Sequence, residues 1–372
     1  MTIATPKRAV LTPKYADFRA GKTAVGYIAP NQTAVRAALT RYLEQAEKYE
    51  SMLSPGYAKF PTPQLAPSEL FIPFGEFSKK YDLDAAVPQM AAISGGGLNS
   101  PSTTPTMFVM QAFGAPLARA FLGLPQWAPV SRDNMELYKK IDKLLGKDII
   151  YSSEAVSANR TAEGVEVTIK SQNGTTTVIQ AKRLLVSFEP TLDSMNPLQL
   201  DKSEKDVFSK WNFVRIYVGI VRHPALPLNS TVINTPLAAA PANYLARPEL
   251  PFIGRFDHMG SPGWRVIIYG NENFTRSDAI KLVQDSVDSM VKGGALPTTN
   301  STRKAEILAF GDHGPMQLQP TVAEYKDGFI QAKNSLQGHR STWYTGSAWS
   351  VHYTSIVWAF TETILPSIVQ GW

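Results

Sequence analysis

Gly338-His-Arg-Ser-Thr-Trp-Tyr-Thr-Gly-Ser-Ala-Trp-Ser-Val-His-Tyr-Thr-Ser-Ile-Val-Trp358 is the stretch on which the fold turns. Thr342 to Thr345 reads as a short buried strand, Gly346 ends it, and a loop of small residues follows. A last helix then runs from about Val351 to Val369. The first-turn amides of such a helix are unpaired donors with partial positive charge, and glycine lets the backbone come close. The junction suits a phosphate or the polar edge of a flavin. It also occurs as plain architecture in any α/β protein, and these residues alone leave both readings open.

Upstream, Asn134 to Gly146 is a helix closed by a C-terminal glycine, and Asp148 to Ala158 reads as a strand. Val165, Val167 and Ile169 alternate with Glu166, Thr168 and Lys170, the pattern of a half-buried strand. Asn173-Gly174 predicts a hairpin turn, Thr175 to Gln180 returns, and Leu184 to Val186 is a strand of the fully buried sort. This unit reads as the three-stranded meander that covers a doubly wound nucleotide-binding sheet.

The flanking segments differ. Lys22 to Pro30 is strand-like, and Val35, Leu39, Tyr42, Ala46, Tyr49 and Leu53 line one face of a helix stopped by Ser54-Pro-Gly56. A Pro-rich loop leads to a second helical stretch, Leu70 to Met90, broken by Gly95-Gly-Gly97, and an apolar segment covers Met107 to Leu124. Strands are expected at Phe213–Val221, Trp264–Tyr269 and Ala305–Phe310. Ser277 can cap a helix bearing Ile280, Val283, Val287 and Met290, and Tyr325 to Leu336 is helical.

Composition excludes several classes of function. The net charge of +6 is spread thinly, without the clusters of Lys and Arg that a nucleic-acid surface needs. Cys is absent, and five scattered His residues without HxxxH spacing predict no metal site. No GxSxG elbow anchors a hydrolase triad. The most apolar window, Phe108 to Val130, contains Gln111, Arg119 and prolines, so no membrane span is expected. Six of fourteen asparagines lie in N-x-Ser/Thr sites (Asn31, Asn159, Asn173, Asn229, Asn273 and Asn300), which points to a glycoprotein ancestor on the secretory route. Met1 to Arg8 shows no signal peptide.

Trp343-Tyr-Thr-Gly-Ser-Ala348 with its helix resembles the C-terminal FAD motif of the flavin amine oxidase superfamily. Leu184-Leu-Val-Ser-Phe-Glu-Pro-Thr-Leu192 resembles that family's strand and Pro-Thr-Leu turn, and Ser153-Glu-Ala-Val156 its adenine-contacting strand. Phe71-Ile-Pro-Phe-Gly-Glu-Phe77, Ile220-Val-Arg-His-Pro224 and Leu336-Gln-Gly-His-Arg340 narrow the resemblance to the fungal beta-cyclopiazonate dehydrogenase family. The resemblance implies a mixed α/β, amine-oxidase-like fold with an incomplete nucleotide-binding lobe. Residues 1–132 and 196–335 would form the substrate lobe, 133–195 part of the FAD lobe, and 336–372 the C-terminal FAD-contacting strand and helix.

It further implies FAD as cofactor, held by Val156, Gly346, Ser347, Tyr353, Thr354 and Ser355. Trp343 would stand beside the flavin ring or simply fill a central strand. His352 would serve as acid or base at the flavin edge or be structural. Two departures stand out: no GxGxxG fingerprint is present, and Ala348 occupies a position where many superfamily members carry Glu. The chemistry implied is hydride transfer from a small hydrophobic fungal metabolite to the flavin. The alternatives are a truncated or degenerate paralogue acting as a binding protein or without activity, and a separate chain that supplies the missing lobe.

Overall fold

A computed structural model describes residues 3–4, 11–94, 100–124, 127–131, 133–260, 263–298 and 304–371. The expected break at Gly95–Gly97 and the acceptor site at Asn300 lie outside the described residues. The other five acceptor asparagines are all exposed.

Two residues of β1 (Ile3–Ala4) pair with β4 (Ala128–Pro129). The principal sheet has seven strands: β2 (Thr12–Asp17), β3 (Lys22–Thr23), β9 (Asn212–Arg222), β10 (Ser230–Asn234), β11 (Phe252–His258), β12 (Trp264–Gly270) and β13 (Glu306–Gln319). Their spatial order is β13-β9-β12-β11-β10-β2-β3, antiparallel throughout except for the parallel β10–β2 pair. Four features were not visible in the sequence pattern. Strand β2 precedes the expected Lys22 strand, β10 and β11 are added, and β13 runs to Gln319 by way of irregularities at Leu308, at His313–Gly314 and at Gln317–Leu318.

One face of this sheet is covered by a long helix, Arg276–Lys292. Ala279, Val283, Val287 and Met290 recur at three- and four-residue steps and are fully buried against Val221, Ile253, Phe256, Val266 and Ile268. Its cap is Thr275, not Ser277. Asp278 accepts from the Thr275 amide at 2.9 Å, and the Thr275 hydroxyl accepts from the Asp278 amide at 3.2 Å. The rule that Asp three residues after Thr completes a capping box favours Thr275, which leaves Ser277 in the first turn.

The helical lobe opens with α1 (Gln32–Leu53), as the periodicity predicts. Its buried stripe packs on α2 (Phe74–Lys80), α3 (Val87–Ser94), α4 (Thr106–Ala112) and α5 (Ala115–Leu122) in one hydrophobic core. The single helix expected over Leu70 to Met90 is instead a 3-10 turn, α2, a second 3-10 turn and α3. Pro73 and Pro88 restrict the chain, and Asp82 takes a positive φ of 52°, so hydrophobic spacing alone could not sustain one helix. In the same way Gly114 and Pro116 divide the apolar Met107–Leu124 segment into α4 and α5.

The meander follows the sequence pattern. After α6 (Met135–Leu145) come β5 (Ser153–Arg160), β6 (Val165–Ser171) and β7 (Thr176–Ala181), with Gly174 at φ 87° in the hairpin turn. The short strand β8 (Leu184–Val186) then precedes α7 (Leu192–Met195) and α8 (Lys202–Phe208). The sheet-covering helix described above is α9. The expected Tyr325–Leu336 helix is two, α10 (Val322–Lys326) and α11 (Phe329–Asn334), parted by Gly328 at φ 85°. The chain ends in β14 (Thr342–Tyr344) and α12 (Thr354–Val369).

β14 lies parallel to β8, with Trp343 opposite Leu185 and Tyr344 opposite Val186. Val186 is buried, but Leu185 is 40% and Phe188 48% exposed. The expectation of a fully buried β8 is therefore corrected: the strand is only partly covered, and among the described residues no third strand joins the pair. Among the described residues no helix is long and apolar enough to cross a membrane, and no cluster of His, Asp and Glu could hold a metal.

Candidate active site

The end of β14 is fixed from below by a buried polar cluster. Arg160, the last residue of β5, donates to both oxygens of Glu204 on α8 at 2.7 and 2.8 Å. Glu204 also accepts the Tyr344 hydroxyl at 2.7 Å, and Arg160 reaches the Thr342 hydroxyl at 3.2 Å. Burial would raise the Glu204 carboxyl, but hydrogen bonds from Arg160 and Tyr344 outweigh it and hold the group below the usual carboxylate range. Meander, α8 and β14 are thus locked to one another before the chain enters its loop.

The loop itself turns sharply. The Thr345 amide continues the ladder to Val186 at 2.9 Å, and Gly346 then takes a φ of 98°. A Cβ there would stand 2.9 Å from the Ser187 carbonyl oxygen, so only glycine passes without strain. The Ser347 hydroxyl donates to Glu189, which follows β8. The other Glu189 oxygen, Oε2, is closed off from solvent and has no partner, and burial pushes the carboxyl up to about 7. Trp349 stacks on Tyr344, with ring centres 4.8 Å apart and planes 8° from parallel. Lys333 of α11 donates to the Ala348 carbonyl at 3.1 Å, and its ammonium lies 4.7 Å from the Tyr57 ring centre and 5.5 Å from that of Trp349. Fully buried, Lys333 is pushed down to about 7.

His352 and Tyr353 close the loop, their ring centres 4.6 Å apart. Burial pulls the His352 imidazole down to about 4, so it is neutral near pH 7. Burial, helped by Tyr269, raises Tyr353, whose hydroxyl donates to the Ile93 carbonyl at 3.3 Å. No side chain caps the helix that starts at Thr354. Tyr269 and the residues just before Ile93 line a cavity of about 240 Å³ on the open face of the seven-stranded sheet. Tyr353 does not itself line that cavity; its bond to Ile93 ties the loop to the segment that carries the lining residues Ala91 and Ala92.

Gly346, Ser347, His352, Tyr353, Thr354 and Ser355 form one continuous turn and helix start. Val156 stands apart, exposed on β5 at a bulge in the meander. Trp343 also lies elsewhere. Its indole N–H donates to Ser367 at 3.0 Å, near the far end of α12, and Arg183 covers its ring at 5.6 Å. Ser367 lies thirteen residues beyond Thr354, about 20 Å along the helix. Trp343 and His352 are therefore not brought together. Glu189, Lys333 and Arg247, which lines the cavity, escaped the sequence reading. Glu189 sits inside the Glu-Pro-Thr-Leu turn that was singled out, so its acid was the one available signal.

An FAD fits this donor set. The orphaned Glu189 Oε2 is an acceptor for a hydroxyl, and the uncapped start of α12 offers donors to an electron-rich ring edge.

No family model matches the chain. It is 30% identical over 343 residues to beta-cyclopiazonate dehydrogenase of Aspergillus flavus, a match that covers 92% of this chain and 72% of that protein. It is 30% identical to the FAD-dependent oxidoreductase oblC of Cochliobolus heterostrophus (95% and 73% covered) and to pigF of Monascus ruber (96% and 74%). Among solved structures, the fold is similar to a fatty acid isomerase from P. acnes, with a TM-score of 0.66, 14% identity, and 98% of this chain and 81% of that one covered. Putrescine oxidase is similar at a TM-score of 0.58, with 12% identity and 99% and 83% covered.

Proposed function

We propose a flavin-dependent oxidation for this chain, which belongs to the beta-cyclopiazonate dehydrogenase family of fungal FAD-dependent oxidoreductases. Bound FAD supplies the hydride acceptor for oxidation of a small, largely hydrophobic metabolite. The residues that would hold the cofactor are Gly346 and Ser347 in the turn, the amides of Thr354 and Ser355, and Glu189 through its free oxygen. Val156 would meet the adenine end. The substrate would lie in the sheet cavity, walled from solvent by Tyr269 and its neighbours. His352, neutral and recessed, is suited to accept a proton at a ring nitrogen, while Tyr353 keeps its own. Trp343 is assigned to holding α12 in place.

The observation that carries this reading is the run Gly346–Ser355, which joins a glycine turn, a neutral imidazole and an uncapped helix start, with Tyr353 bonded to Ile93 beside the lining residues Ala91 and Ala92. The test is the visible absorbance of the full chain purified with FAD present. Retained isoalloxazine bands in a compact monomer support it, and a folded, colourless monomer that takes up no FAD sinks it.

The exposed Leu185 and Phe188 favour a second reading, in which a further polypeptide covers the β8–β14 pair before FAD is held. Co-purification of a second chain bearing a GxGxxG segment, with flavin present only in the complex, would favour that version.

A further inference from the structure

The turn after β14 is gripped by three side chains from distant parts of the chain. Lys333 of α11 is 1% exposed, and its ammonium donates to the Ala348 carbonyl at 3.1 Å. Two residues on, the Ser350 carbonyl accepts from the side-chain amide of Gln111, near the end of α4. Tyr57 joins the two. Its hydroxyl donates to Gln111 Oε1 at 2.7 Å, and its ring centre lies 4.7 Å from the Lys333 ammonium. The first of these bonds orients the Gln111 amide, because with Oε1 accepting from Tyr57 the Nε2 donor faces Ser350. Between the two gripped carbonyls, the Trp349 oxygen packs against Gly56, where a Cβ would stand only 2.5 Å from it. The Ser350 hydroxyl donates to the Pro55 carbonyl and completes the contact.

Packing alone does not account for Lys333 and Gln111. No carboxylate neutralises Lys333 among the described residues, and burial weighs against its charge. A Met at either position would fill similar space without taking a polar group out of water. What the polar groups secure is the conformation of the turn. A planar trans peptide sets its N–H opposite its C=O. Drawing the Ser350 carbonyl to Gln111 therefore turns the Val351 amide away from α4, and that amide has no partner among the described residues. With the Ala348 carbonyl drawn to Lys333, the Trp349 amide closes the turn on the Gly346 carbonyl at 3.3 Å, beside the Ser350 amide at 3.1 Å.

We infer that Lys333, Gln111 and Tyr57 are positioning residues of the cofactor turn: they hold the Ala348 and Ser350 carbonyls so that the unpaired Val351 amide and the helix start behind it are presented to FAD. The hold on the turn needs no flavin; only its purpose rests on the oxidoreductase reading.

The test pairs amide hydrogen exchange of the full chain without FAD with the Kd for FAD, read from quenching of flavin fluorescence. In Lys333→Met and Gln111→Met, exchange at Trp349 and Ser350 is expected to quicken about tenfold while β14 stays protected, and the Kd to rise about tenfold. Lys333→Gln, which keeps a donor, stays within about threefold of wild type in both readouts. Melting temperature separates this role from packing. At pH 6 Lys333→Met melts no lower than wild type yet binds FAD more weakly, whereas a packing residue would move stability and affinity together. Unchanged exchange, quickened exchange with an unchanged Kd, or affinity that falls only in step with melting temperature overturns the proposal. Should a Met variant fail to fold, Tyr57→Phe decides: it frees the Gln111 amide and should raise both readouts about threefold. Quickened exchange in a chain that never takes up FAD leaves the hold on the turn standing and sinks the oxidoreductase reading. FAD bound equally by wild type and variants does the reverse.

Discussion

Arg160 and Glu204, neither with any side-chain exposure, face each other through two hydrogen bonds and join the last residue of β5 to α8. Because Tyr344 bonds the same carboxylate, this pair also sets the height at which β14 delivers Gly346 to its turn. Removing one partner would strand a charge where water cannot reach it.

Glu204→Gln is therefore expected to destabilise the chain by about 3–5 kcal/mol, read from urea unfolding near neutral pH. The wild-type group is held below the ordinary carboxylate range, so its contribution exists above that range and is lost as pH falls through the folded-state value. The gap between variant and wild type should narrow in acid. A loss under about 1 kcal/mol at pH 7 would mean that the pair does not organise β14.

Lys333 gives a dependence of opposite form. Its folded-state pKa of about 7 lies below the ordinary lysine value of 10.5, so between those values the unfolded chain holds the extra proton. Wild-type stability from this group should rise as pH increases from 7 towards 10. Lys333→Met should exceed wild type in melting temperature at pH 6, with the advantage shrinking at pH 9. An advantage that is constant with pH would show that the ammonium is not buried as described.

Glu189, raised from 4.5 to about 7, contributes stability below its unfolded value that is lost as pH rises through 7. Glu189→Gln should therefore gain on wild type between pH 5 and pH 8. It should also alter FAD retention, because the amide places a donor or an acceptor where the free Oε2 now stands. Identical unfolding profiles across that pH range would remove Glu189 from the account.

Gly346→Ala combines an unfavourable φ with a contact on the Ser187 carbonyl, a cost of about 1–3 kcal/mol. The chain should remain folded by circular dichroism yet retain several-fold less FAD per mole. Undiminished flavin content would place the cofactor away from this turn.

His352→Gln should abolish an acid limb near pH 4 in the pH–rate profile of flavin reduction, the limb arising because the imidazole is a base only above that value. Trp343→Phe should leave that limb untouched. An unchanged profile in His352→Gln would leave the residue a structural role only.

Much of this arrangement was legible in the residues. Alternation in Val165–Ile169 and the Asn173-Gly174 turn are local signals, and local physics decided both. The Gly346 turn was legible for the same reason. The Leu70–Met90 region was not, because prolines and a positive φ at Asp82 interrupt a spacing that looks continuous. Strand β10 is five residues long and takes its identity from β2, more than two hundred residues away. Arg247 and Lys333 gave no sequence signal. A basic residue announces neither burial nor the loss of a partner, since both depend on which distant segments close around it.

The two bonds that tie β14 to α12, Trp343 to Ser367 and Thr345 to Thr361 at 2.6 Å, have a consequence for helical phase. They fix the rotation of α12 from its middle and far end, and the phase of its first turn relative to them follows from the number of residues between Thr354 and Thr361. Deleting one residue between Thr354 and Thr361 would turn that first turn by about 100° and draw it back about 1.5 Å, with both tethers intact. The amides of Thr354 and Ser355 would then point to another side of the molecule. The length of that half of the helix is thus as much a part of the site as any side chain in it.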